Sequence, residues 1–104
     1  MIEVADRRIH DWTIAKGIDL YRVEHVVPFV ETDFSLTVWL FYRTSVQVDT
    51  YRRDGITAAV QQEYLRVLSE LGYPGQWLGL VTFRVDSDEN VRANYEGNYF
   101  YRLR

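Results

Sequence analysis

The run Phe34 to Arg43, FSLTVWLFYR, constrains this chain most, because apolar side chains fall on both of its faces. β-Branched and aromatic residues dominate it, which is the composition of a strand. Alternation puts Leu36, Val38, Leu40 and Tyr42 on one face and Trp39 and Phe41 on the other. Such a strand is central in its sheet, or its second face meets a helix, a partner or a ligand. At 104 residues the chain has room for one core but not two, so a single domain over 1–104 is expected.

Around that strand the other segments predict a small α+β domain. Val4 to Lys16 carries Val4, Ile9, Trp12 and Ile14 among charged residues and reads as a helix ended by Gly17. Leu20 to Val30 shifts to period two, with Tyr21, Val23, His25, Val27 and Phe29 on one face and Arg22 and Glu24 on the other. The short Glu31-Thr32-Asp33 connection then predicts an antiparallel hairpin with the Phe34–Arg43 strand. Thr44 to Asp54 reads as a strand extension or an irregular loop.

Beyond it, Ile56, Val60, Tyr64, Val67, Leu68 and Leu71 recur at helical spacing, capped by Asp54 or Thr57 and ended by Gly72. Trp77, Gly79, Val81, Phe83 and Val85 alternate as a third strand. Asp86 to Asn90 reads as a tight turn into a fourth, through Val91, Ala93 and Tyr95. Gly97-Asn98 would turn the chain into a last strand, Tyr99 to Leu103. The expectation is an antiparallel sheet of four to five strands with two helices, in the order α-β-β-α-β-β(-β), the helices packed on one face. An exposed edge at the C-terminal strand would offer a route to a homodimer.

Composition narrows the function classes. There is no cysteine, which excludes disulfides, thiolate zinc sites and cysteine nucleophiles and fits a reducing compartment. Met1 to Arg8 has no apolar signal-peptide core, and no apolar run is long enough to span a bilayer, so a cytoplasmic, non-membrane protein is expected. A net charge of −3 gives no electrostatic reason to seek the phosphates of a nucleic acid. Of the 12 basic residues only Lys16 is lysine, a bias that genome base composition produces by itself and that also suits bidentate pairing with carboxylates and stacking on aromatic rings.

No catalytic, cofactor or metal motif is complete. Asp86-Ser87-Asp88-Glu89-Asn90 begins like a calcium loop, but Val91 stands where the sharp turn needs glycine and Gly97 where the bidentate acid belongs. His10 and His25 are the only histidines, and His10-Asp11 point apart on a helix. His25 reads as a half-buried residue with one hydrogen bond, or as half of a catalytic pair with a distant carboxylate such as Asp33 or Glu63. The glycines at 72, 75 and 79 bracket a turn, without the lysine a phosphate loop requires.

What remains is a surplus of rings: three Trp, eight Tyr and five Phe exceed what a core of this size easily hides. Tyr95, Tyr99, Phe100 and Tyr101, flanked by Arg84, Arg92, Arg102 and Arg104, read first as core, next as a protein interface, which the net acidity favours, and last as a platform for bases.

The strand Trp39-Leu40-Phe41-Tyr42-Arg43, the helix through Tyr64-Leu65-Arg66-Val67-Leu68, Gln76-Trp77 entering Leu80-Val81-Thr82-Phe83, the Asp86-Ser87-Asp88 turn and Ala93-Asn94-Tyr95-Glu96 together resemble the C-terminal two-thirds of the YezG-like bacterial immunity proteins, over residues 36–96. The resemblance implies a protein that binds and blocks a cognate toxin, and it carries no catalytic residues. Such work needs exposed aromatic anchors and carboxylates that complement a basic active site. Trp39, Trp77 and Tyr95 are the candidate anchors, with Asp86, Asp88, Glu89 and Glu96 as the candidate carboxylates. The alternative is a small enzyme or ligand-binding domain with a pocket between helix and sheet, around His25 and the second face of Trp39 and Phe41.

Overall fold

A computed structural model describes residues 2–28 and 34–103. Phe29, Val30 and the Glu31-Thr32-Asp33 connection lie outside the described residues, as does Arg104. The elements are α1 (Ile2–Ala15), β1 (Leu20–Val26), β2 (Leu36–Tyr42), α2 (Ser45–Arg53), α3 (Ile56–Glu70), α4 (Gly75–Leu78), β3 (Val81–Ser87), α5 (Asp88–Asn94) and α6 (Tyr99–Arg102).

The sheet has three strands in the order β1-β2-β3, with β2 central. β1 and β2 are antiparallel, as the hairpin reading expects, with His25 opposite Val38 and Glu24 opposite Trp39. β2 and β3 run parallel, pairing Trp39 with Arg84 and Phe41 with Asp86. The expected antiparallel sheet of four to five strands with two helices is therefore corrected to a mixed sheet of three with six helices among the described residues. Parallel neighbours need a long crossover. Here it is supplied by α2, α3 and α4, so Thr44–Asp54 is neither strand nor loop.

Local chemistry explains these differences. Thr44 caps α2 by accepting from Gln47 N, while Gln47 Oε1 accepts from Thr44 N at 2.9 Å, a reciprocal capping box. At the end of β3, Ser87 Oγ accepts from Asn90 N at 3.0 Å and starts α5, with Asp88 and Glu89 in its first turn. The expected tight turn is thus a strand end running into a helix, and the fourth strand does not form. Asn98 caps α6 in the same way, so the expected C-terminal strand, and a dimer through its edge, are also corrected. The third strand starts at Val81 rather than Trp77, which belongs to α4. Gly55, with φ 77°, separates α2 from α3 in a left-handed conformation that costs glycine little, so neither Asp54 nor Thr57 is the cap of α3.

Helices cover both faces of the sheet, not one. On the first face, Ala5 and Ile9 of α1 and Val60, Tyr64, Val67 and Leu68 of α3 close over Leu36, Val38, Leu40 and Tyr42. A register shift between Leu20 and Arg22 inserts one extra residue in β1 and turns Leu20 into this core, opposite Tyr42. On the second face, Trp39 and Phe41 pack with Val91, and with the half-buried Tyr95, Tyr99 and Leu103. No helix among the described residues is long and apolar enough to cross a membrane.

Candidate functional site

The second face is where the fold leaves chemistry accessible. Its floor is packed from rings: Trp39 and Phe41 stack with centroids 5.6 Å apart, and Tyr99 meets Phe41 edge-on at 4.7 Å. The short C-terminal helices cover Phe41 completely and leave Trp39 5% exposed. Beside Trp39 opens a cavity of about 230 Å³, lined by Val26, Thr37, Trp39, Arg84, Arg102 and Leu103.

Two guanidinium groups meet the Trp39 ring from different elements. Arg102 lies 4.5 Å from its centroid and 5.2 Å from that of Tyr95, and its Nε donates to Asp86 Oδ2 at 2.5 Å. Asp86 is held in turn, accepting from Ser87 N and from Asn90 Nδ2. Arg84 projects from β3 with its guanidinium 5.8 Å from the Trp39 centroid, a position set by the parallel register that makes it Trp39's neighbour. Among the described residues no carboxylate pairs with Arg84. At the far edge of the face, Arg22 stacks 4.1 Å from the Tyr99 centroid and pairs with Glu24 at 2.6 Å.

The structure gathers some of the sequence-derived candidates and separates others. Trp39, Tyr95 and Asp86 meet at Arg102. Asp88 is buried behind them, accepting from Arg92 Nε at 2.6 Å and from the Tyr99 hydroxyl at 2.5 Å. Burial pushes its carboxyl up, but these two donors outweigh burial and leave it below its ordinary value. Burial and the adjacent Asp88 raise the Tyr99 hydroxyl in complement. Glu89 is spent on the backbone N–H of Ser45, at 2.9 Å. Glu96 is exposed, with φ 57°. Trp77 belongs to another aromatic group, stacked on Phe34 at 4.3 Å and edge-on to Tyr73.

His25 and Trp39 lie on opposite faces of the sheet, because His25 pairs with Val38. The pocket expected around both therefore does not form around His25. Its Nδ1 lies 2.6 Å from Asp6 Oδ2, and the other carboxylate oxygen of Asp6 accepts from the hydroxyl of fully buried Tyr64 at 2.5 Å. This chain of bonds ties β1 to α1 and α3. Glu63 pairs with Arg66 instead of His25, and Asp33 lies outside the described residues. Among the described residues no group of three or more His, Asp or Glu side chains could hold a metal ion.

Arg84 and Arg102 enter the sequence reading only as flanks of the aromatic run, and Thr37 and Val26 do not enter it. Their convergence depends on the parallel β2–β3 pairing, which no local spacing encodes. No family model, curated protein or solved structure matches the chain.

Proposed function

We propose that this chain is a non-enzymatic protein-binding domain whose working surface is the partly covered second face of its sheet. The observation that carries the reading is Arg84 and Arg102 converging on the Trp39 ring beside an open cavity. Arginine and aromatic side chains are enriched among the residues that dominate protein interfaces. The floor beneath them is packed before any partner arrives, which keeps the ordering cost of association low.

The finer reading, an immunity protein that neutralises a cognate bacterial toxin, comes from the likeness over residues 36–96. Asp86 and Asp88 are engaged by Arg102, Arg92 and Tyr99 inside the fold, so the surface offered is arginine and aromatic rather than acidic. A partner matched to this face presents acidic and apolar groups.

Purification of the tagged wild-type chain and of Arg84→Glu from native cell extract tests the reading. Wild type should retain a partner at a fixed ratio, and R84E should lose it with an unchanged melting temperature, since Arg84 has no ion pair to break among the described residues. No retained protein, or equal retention by both, removes this reading. Co-expression with the product of a neighbouring toxin-like gene tests the immunity reading: protection of growth is expected, and its failure with that toxin leaves only the broader one.

A further inference from the structure

The cavity beside Trp39 has a chemistry specific enough to name the group it accepts. We propose that it is a carboxylate-binding pocket for a single carboxylate borne on an apolar or aromatic body, with Arg84 and Arg102 as the charge partners and Trp39, Val26, Thr37 and Leu103 as the walls. This rests on the reading above, in that the second sheet face is the working surface, and deepens it by stating what the partner inserts.

Charge sets the class of ligand. The two arginines bring two positive charges to one cavity, and Asp86 offsets one of them through Arg102 Nε. One cation, Arg84, is left without a carboxylate among the described residues. A monoanion balances that site, whereas a phosphate dianion exceeds it and meets repulsion from Asp86. Geometry agrees. A guanidinium is a planar fork of five N–H donors that matches the two oxygens of a carboxylate, and Asp86 engages only the Nε–H of Arg102. Stacking on Trp39 and the bond to Asp86 hold Arg102 in place with a side chain only 24% exposed, so less freedom is lost when a ligand arrives. The remaining wall comes from Val26, Leu103 and Thr37, whose Oγ1 lies 3.2 Å from Thr82 Oγ1, itself a donor to Leu36 O, so the Thr37 hydroxyl is satisfied within the sheet and offers its methyl group to the cavity wall. At about 230 Å³ the cavity has room for a small ring or branched chain behind the carboxylate.

The carboxylate has two sources, a free small acid or an acidic side chain of a partner protein. Titration of the ¹⁵N-labelled chain with sodium benzoate, observing the Arg Nε–H and Trp indole N–H resonances, tests the pocket itself, with benzamide as the neutral isostere and inorganic phosphate as the competing anion. Saturable shifts at Arg84, Arg102 and Trp39 are expected with benzoate and not with benzamide, and phosphate should bind more weakly. Arg84→Gln should weaken benzoate about two- to fivefold, the range of a charge contact made by an exposed side chain. Equal shifts from benzamide, tighter binding of phosphate, or an unchanged affinity in R84Q overturns the proposal.

A second arm separates the sources: benzoate is added to the complex captured from extract. Release of the partner assigns the carboxylate to the partner protein. Benzoate binding without a captured partner assigns it to a free acid and removes the protein-binding reading alone. Capture that survives in R84Q, with no benzoate binding, removes the pocket alone.

Discussion

Two polar clusters of this protein do different work, and single residues show it. Asp6 joins His25 to Tyr64 and so fastens three elements on the closed face, while Asp88 sits between Arg92 and Tyr99 behind the open one. A histidine with one hydrogen bond is legible from the alternation around His25. Its partner is not, because Asp6 lies 19 residues earlier, on another element, and only packing of α1 against β1 brings them together. Asp88 carries a pH signature. Its folded-state pKa lies below the unfolded value, so its stabilising contribution is complete above the unfolded pKa, about 3.9, and is lost as pH falls through the folded one. Unfolding free energy from urea titrations should therefore decline below about pH 4 in the wild type, and Asp88→Asn should flatten that decline. Parallel acid profiles for the two proteins would show that Asp88 is not stabilised in this way.

At the scale of elements, α1, β1, β2 and α3 follow from periodicity because their apolar residues repeat cleanly at one period. The missed helices carry two readings. Val46 and Val48 alternate like a strand, yet Thr44 and Gln47 stand three apart, which is the capping-box spacing. Val91, Ala93 and Tyr95 alternate too, but Val91, Tyr95 and Tyr99 also recur every fourth residue, and Ser87 followed by Asp88 and Glu89 is a helix start. Short segments leave the choice of period open, and the caps decide it. Thr44→Ala should accordingly cost about 0.5–2 kcal/mol in urea denaturation, the usual loss for an N-cap oxygen. A stability unchanged by T44A would mean that α2 is held by its packing alone.

Across the whole molecule, the doubly apolar β2 does what its sequence demands: it is central, with α1 and α3 on one face and the C-terminal helices on the other. Its neighbours are what local pattern could not supply. The switch from an antiparallel to a parallel partner needs the long α2–α4 crossover, and the site follows from that switch, since it sets Arg84 beside Trp39 and lets α6 bring Arg102 over the same ring. Of the surplus of rings, Trp39, Phe41, Tyr95 and Tyr99 form the floor of a partly covered face, while Phe100 and Tyr101 are exposed. Hydrogen–deuterium exchange, comparing the free chain with its complex with the captured partner, tests most directly whether this face binds. Protection should concentrate in residues 95–103 and along the outer edges of β1 and β3, with α1 and α3 unchanged; protection confined to the exposed sides of α1 and α3 would contradict it.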